Sequence, residues 1–482
     1  MPSSSRTTGS PMARWPLAAL FVLVAACAVN PVTGRQQVAL LSTAQEVDLG
    51  AHEHPAILAE YGELQAPAVR DYVARVGQGL AARSHRPGIA YHFTVLDSPI
   101  LNAFAIPGGY VYVTRGLLAE LNNEAELAGV IGHEIGHVTA RHGVTRYTQQ
   151  AGYQLLRGVA LMLEPGLANW TQLSDLAFTA TVRGYGRNEE LQSDELGLAY
   201  AAAAGYDTGQ LHHFFETLQR QERDADGGGY HGLFATHPET QARIERLRGL
   251  ERANPGGKEV GREAYLQAID GITVGPSPDE GRVVEGRYLN VPYDVALTIP
   301  GGWQARTARG RLLLTPRGGG VAWEAQMRPA QAGENSETVM RQLLAQVGSP
   351  ARPAWALHPH GAQVVDAAAS AAGKPVGVRI TTWVHQGHVT VVTALAPAGA
   401  FARLAPAFDQ ITATLAPLTA SEIQRAQPLH LRIQRAQAAT SFAALAGSDP
   451  TPDHDPTWLS FFNGYGGAPN PRAGDLVKVI AP

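Results

Sequence analysis

The chain has 482 residues, a formal net charge of -4 and only 17% charged residues. Single hydrophobic cores stop growing near roughly 250 to 300 residues, so two or three domains are expected. The balance is slightly acidic and excludes the basic field that binding a phosphate backbone requires, so nucleic acid is not an expected partner.

Residues 1–27 read as an export signal, in which Arg6 and Arg14 precede or open an apolar stretch, 15–26, too short to span a bilayer. The stretch ends in Val24-Ala25-Ala26-Cys27, which resembles a lipobox. Cys27, the single cysteine of the chain, is therefore the expected lipidation site, with an ordinary cut after Ala28 as the alternative. With Cys27 lipidated no thiol remains for a disulfide, and stability must come from packing and a metal. No later segment reads as membrane-spanning, because the most apolar one, 153–170, is interrupted by Arg157, Glu164 and Pro165.

From about 42 to 250 the pattern is mainly helical, with an extended patch at 91–96 and another at 102–113. Ile106-Pro107-Gly108-Gly109-Tyr110 puts turn chemistry between two short apolar runs, which predicts a small hairpin. The next helix is predicted to start at the capping-box pair Asn123 and Glu126 and to stop at Gly143. Inside it lies His133-Glu134-Ile135-Gly136-His137. Positions i and i+4 share a helix face, so both imidazoles can reach one ion, with Glu134 placed to act as general base on its water. Zinc suits such a site, because three protein ligands leave one position for water.

Gly129, Gly132 and Gly136 form a stripe on the same helix, which predicts a close neighbour. Either the hairpin 102–113 packs there, offering an open edge to an extended peptide, or another helix does. For a third ligand the best candidate is Glu190, on a helix predicted from a cap at Asn188 to a stop at Gly205. Asp194, one turn on, could fix the outer nitrogen of a ligating histidine. The bland alternative for this acidic pair is a solvated face. The interval 144–186 carries Leu155, Leu156, Val159 and Leu161 and reads as a lid or as helical core. Thr236 and Glu239 have capping-box spacing ahead of a helix through Ile244 and Leu247. His142, His212, His213 and His231 read as surface or structural, since none shares the ligand face at helical spacing.

Gly, Pro and Asp mark linkers at 253–261 and 275–281, around a short helix at 263–269. Residues 282–415 then alternate short apolar runs with turn signals and read as an α+β domain without a candidate site.

Together these motifs resemble the zinc peptidase family that includes the CAAX prenyl proteases and the bacterial β-barrel-assembly-enhancing protease, within the gluzincin group. The resemblance runs from about 30 to 250 and takes in Asn30-Pro31-Val32-Thr33-Gly34-Arg35, Asn102-Ala103-Phe104-Ala105 with Pro107-Gly108-Gly109, the HExxH helix, and Glu190 four before Asp194. It implies a zinc metalloendopeptidase with one Zn2+ per chain on His133, His137 and Glu190. Glu134 would be the base, Asp194 would support a ligand, and Asn102, Ala103 and Phe104 would form the substrate strand. His237, in Thr236-His237-Pro238-Glu239, matches a family histidine that lies near the metal and gates it or contacts the transition state. Ser193 departs from the alanine usual before that aspartate.

Residues 429–480 resemble a LysM module, a βααβ unit that binds N-acetylglucosamine-containing glycans and so points to peptidoglycan. Gln437-Ala438-Ala439-Thr440 stands where the usual Gly-Asp-Thr would be. The expected fold is therefore multidomain: a lipoprotein signal (1–27), a mainly α-helical zincin-type metallopeptidase domain with a small β-hairpin (28–262), an α+β domain (282–416) and a LysM-like unit (425–482). The resemblance further implies unfolded or misassembled envelope proteins as substrates and a lipid anchor in the envelope, at the outer membrane facing the periplasm. The rival reading is a non-catalytic zinc-binding envelope lipoprotein, acting as chaperone or peptidoglycan-binding assembly factor.

Overall fold

A computed structural model describes residues 27–149, 184–224, 237, 241–253, 255–346, 356–357, 361–371, 374–451, 454–467 and 470–482. The export signal and most of the interval 144–186 lie outside the described residues, as does the Thr236 and Glu239 cap. The chain divides into two compact units, Met1–Ile272 with Arg432–Val479, and Thr273–Leu431 with Ile480–Pro482. Among the described residues no helix is long and apolar enough to cross a membrane.

The first unit opens with β1 (Cys27–Val29) antiparallel to β2 (Gln36–Val38). Between them Asn30 Oδ1 accepts from the backbone N–H groups of Val32 and Thr33, while Asn30 Nδ2 donates to Ala140 O at 3.1 Å. Helices α1 (Thr43–Tyr61) and α2 (Pro67–Ala81) follow. A three-stranded sheet comes next, built from β3 (His92–Leu96), β4 (Ala103–Ile106) and β5 (Tyr110–Thr114). Strands β4 and β5 form the expected hairpin, β3 runs parallel to β5, and the order β3-β5-β4 leaves β4 at an edge.

Helix α3 (Arg115–Glu120) leads into α4 (Glu124–Thr139), all of whose residues are buried. Asn123 caps α4 as its residue type predicts, accepting from Glu126 N at 2.8 Å. The return half of the box goes elsewhere, since Glu126 Oε2 accepts from Asn122 N at 2.6 Å rather than from the cap's own N–H. The expected stop at Gly143 is corrected: α4 ends at Thr139, and Arg141 takes φ 58°. A non-glycine residue in that left-handed region is strained, and here the side chain is held in place by Glu46 at 3.2 Å and Leu41 O at 2.7 Å.

The unit continues with α5 (Arg187–Ala203), α6 (Gly209–Asp224), α7 (Gln241–Ala253) and α8 (Arg262–Ile269). Helix α5 is capped at Gly186, whose N–H reaches Glu189 at 2.8 Å, so Asn188 lies within the helix and is not its cap. Gly205, at φ 93°, stands just past the end of α5, as predicted. The glycine stripe of α4 faces helices and not the hairpin. A Cβ on Gly132 would lie 2.9 Å from Gly197 O, one on Gly136 3.0 Å from Ser193 Cα, and one on Gly129 2.9 Å from a Leu211 methyl. This approach seats α5 on α4 and fixes which residues of α5 can meet the histidine pair.

Residues 432–479 cluster with this unit. Their elements run strand (Leu429–Arg435), helix (Phe442–Ala446), helix (Pro456–Phe462) and strand (Leu476–Ala481). The second unit centres on a seven-stranded antiparallel sheet. Strand Ala322–Pro329 shows the period-two burial of a half-covered sheet. Trp323, Trp383 and Phe408, the last from helix Ala398–Thr412, sit in its core.

Candidate metal centre

Helix α4 delivers His133 and His137 from successive turns, α5 delivers Glu190 and Asp194, and the closeness of the two glycine-faced helices brings them together. His133, His137, Glu190 and His237 offer ligand atoms all within 4.8 Å of one another, and all four residues are buried. His133 Nε2 lies 3.0 Å from His137 Nε2 and 3.3 Å from His237 Nδ1. His237 Nδ1 lies 3.0 Å from Glu190 Oε1. The acidic pair on α5 is thus not a solvated face.

The outer ring nitrogens are committed elsewhere. His133 Nδ1 meets Asp194 Oδ1 at 2.9 Å. His137 Nδ1 meets His142 Nδ1 at 3.0 Å, and His142 Nε2 meets Gln192 Oε1 at 3.0 Å. If His142 donates to Gln192, its Nδ1 accepts from His137, and both ligating imidazoles turn Nε2 lone pairs toward the centre. Two imidazole lone pairs facing each other at 3.0 Å repel unless a proton or a cation lies between them. Burial works against a charge on His133, but Asp194 and Glu190 together push it up to about 10, whereas burial takes His137 well below its ordinary value. The cluster therefore calls for a positive charge at its middle, and three nitrogens with one carboxylate oxygen fit a borderline divalent metal such as zinc.

Arg243 of α7 holds the acidic side together. Its Nε and one terminal nitrogen fork onto Asp194 at 2.8 and 2.7 Å, and the other terminal nitrogen lies 2.9 Å from Glu190 Oε2. Burial opposes ionisation of both acids, yet Asp194 is kept below its ordinary value by Arg243, and Glu190 by His237 and His133. Glu134 is different. Both of its oxygens are buried without a hydrogen bond, Oε1 lies 3.4 Å from His237 Nε2, and burial raises its carboxyl.

Sequence reasoning missed three contributors. Arg243 carries no signal in its neighbourhood. His142 failed a helical-spacing test because the chain leaves α4 at Arg141 and brings the ring back onto His137. Tyr185 stacks on His137 with centroids 3.8 Å apart. Of the expected substrate strand, Ala103 and Phe104 belong to β4, and Asn102 precedes it with its carbonyl accepting from Thr114 N. Ala105 and Ile106 of β4 line a small cavity together with His137 and Tyr185.

Residues 67–251 match the model of Peptidase family M48. The mitochondrial metalloendopeptidase OMA1 of Arabidopsis thaliana is 34% identical over 168 residues, 35% of this chain and 33% of that protein. The beta-barrel assembly-enhancing protease of Escherichia coli K12 is 27% identical over 232 residues, 46% of this chain and 47% of that protein. The metalloprotease YcaL of the same organism is 30% identical over 165 residues, 33% of this chain and 62% of that protein. The chain thus spans less than two thirds of the length of each. The segment that supplies all four cluster residues, Glu134, Asp194 and Arg243 is the segment similar to metalloproteases of Peptidase family M48.

Proposed function

We propose that the chain is a zinc-dependent metalloendopeptidase of the cell envelope. In this reading it binds one Zn2+ on His133, His137 and Glu190, with Asp194 fixing His133. The observation that carries the reading is Glu134, a buried carboxylate without a hydrogen bond beside the cluster. A metal held only for folding has no use for such a group, and leaving it unsatisfied costs about 1–3 kcal/mol or more.

Zinc, when bound, would polarise the scissile carbonyl and make an attacking water acidic. Glu134 would take that water's proton and return it to the leaving amine, a task its raised carboxyl suits. Strand β4 would bind substrate by strand addition. Asn102 O accepts from Thr114 N, and by antiparallel alternation Ala103 and Ala105 then turn their N–H and C=O groups away from β5.

His237 brings a fourth protein donor, and four donors fill a tetrahedral zinc. In the present arrangement His237 would therefore hold the site latent and would have to withdraw to admit water. This geometry equally supports the rival reading, a zinc-binding envelope protein without catalysis. One similar protein is named a beta-barrel assembly-enhancing protease, and unfolded or misassembled envelope proteins are the substrates proposed on that ground. Export, a lipid on Cys27, an outer-membrane position facing the periplasm, and peptidoglycan contact through a LysM-like C-terminal segment complete the proposal.

The test is casein cleavage by the purified full chain. Chelation should abolish it, and Glu134→Gln should lower it about 10²–10⁴-fold with zinc content unchanged, while the exposed change Arg311→Ala should leave it intact. Cleavage that survives Glu134→Gln would refute the assigned base, and no cleavage even from His237→Ala would favour the rival.

A further inference from the structure

Helix α6 carries His212, His213 and Glu216, whose ligand atoms lie within 4.8 Å of one another. Glu216 sits one turn beyond the pair, with Oε1 3.9 Å from His212 Nε2 and Oε2 4.0 Å from His213 Nδ1. None of the three belongs to the cluster on α4 and α5. We propose that they form a second site for a borderline divalent transition metal such as Zn2+, weaker than the first and separate from it.

The independent observation is Glu251 on α7. Its carboxylate meets His212 Nδ1 at 2.7–2.8 Å. This is the arrangement in which a carboxylate fixes the tautomer of a ligating histidine, and Asp194 does the same for His133. It places the proton of His212 on Nδ1 and turns the Nε2 lone pair toward Glu216.

Ligand atoms about 2.0–2.2 Å from zinc stand about 3.4 Å apart in a tetrahedron. The present ligand atoms, all within 4.8 Å of one another, must close by up to about 1.4 Å to reach that spacing. Two imidazoles and one carboxylate select zinc, copper or nickel over calcium and magnesium. His213 and Glu216 line an open cleft of about 580 Å³, so the ion and its remaining water ligands have room to enter. Arg248 competes with the metal for Glu216, which is why the site is the weaker of the two.

The test is equilibrium dialysis of Zn2+ against metal-free full-length protein, with no activity measurement involved. Wild type should bind two equivalents, the second more weakly. His213→Ala changes a ring whose side chain is 61% exposed, so the fold is not at risk; it should lower the second affinity at least tenfold and leave the first unchanged. His133→Ala should keep the second equivalent. If wild type binds one equivalent that His213→Ala leaves intact, or if His213→Ala still binds two at wild-type affinity, the second site is overturned. A single equivalent lost in His213→Ala but kept in His133→Ala would instead sink the first site and leave the second standing.

Discussion

At the scale of single residues, the arrangement depends on which side chain can make two contacts at once. Arg243 binds Asp194 through two nitrogens and reaches Glu190 with a third. A lysine keeps the charge but presents a point and not a fork. Arg243→Lys is therefore expected to fold but to bind zinc about 10–100-fold more weakly, the usual loss when a group orienting a ligand is removed. Competition against a chelating dye measures this, and unchanged affinity would show that the guanidinium is incidental. His237→Ala should act in the opposite sense on turnover. It removes one of the four donors and opens a position for water, so kcat on casein should rise while zinc affinity falls modestly. A fall in kcat with KM unchanged would instead assign His237 to the transition state. His133, Glu134 and His137 were legible because helical geometry turns a spacing of four into a shared face. Arg243 was not, because a guanidinium that reaches across from another helix leaves no pattern in its own neighbourhood.

At the scale of elements, the α4 and α5 pair decides the geometry of the centre. Ala is intrinsically better than Gly in a helix by about 1 kcal/mol. At Gly132, however, a Cβ would lie 2.9 Å from Gly197 O and 3.1 Å from Gly197 Cα, both backbone atoms that cannot turn aside. Overpacking of this kind costs about 1–3 kcal/mol, so the clash should win. Gly132→Ala is expected to lower the urea midpoint and, by lifting α5, to weaken zinc binding through Glu190. Gly79, on α2, meets nothing within 4 Å, and Gly79→Ala should be neutral or stabilising by up to about 1 kcal/mol. Equal effects of the two substitutions would remove helix contact as the reason for the stripe. The glycines announced a close neighbour in the sequence but could not name it, because a missing Cβ is the same signal whether a strand or a helix approaches. The end of α4 at Thr139 was hidden for a related reason: the left-handed φ of Arg141 just beyond it is sustained by Glu46 and Leu41 O, about a hundred residues away.

At the scale of the whole molecule, the C-terminal segment 432–479 belongs with the unit that holds the cluster of His133, His137, Glu190 and His237, and Lys478 shows what that association does. Its side chain is fully buried, and Nζ donates to Ala119 O, Glu120 O and Leu121 O at 2.8, 3.0 and 3.1 Å. These are carbonyls at the end of α3, which the helix itself cannot satisfy. Burial lowers the ammonium of Lys478 to about 7; in its charged form it also meets the negative pole of the helix, and the ring of Phe462 lies 4.1 Å from Nζ. Arg262 adds a second tie, from Asn122 O to Asn463 O, each at 3.0 Å. Both ties end on the residues immediately before α4, so the start of the histidine-bearing helix is held by a segment more than three hundred residues further along the chain. Nothing in the local pattern of that segment could reveal this, because its partners are backbone carbonyls and carry no residue signature. Lys478→Met keeps the bulk beside Phe462 and removes the donor, leaving three carbonyls without their partner. Buried acceptors left unmade cost about 1–3 kcal/mol each, reduced where water can enter, so a loss of about 2–4 kcal/mol is expected in this unit. Release of zinc during urea unfolding reports on the unit directly. Its midpoint should fall in Lys478→Met and stay at the wild-type value in Lys374→Met, on an exposed position of the other unit. An unchanged midpoint in Lys478→Met would mean that the start of α4 is held by its own Asn123 cap and needs nothing from the far end of the chain.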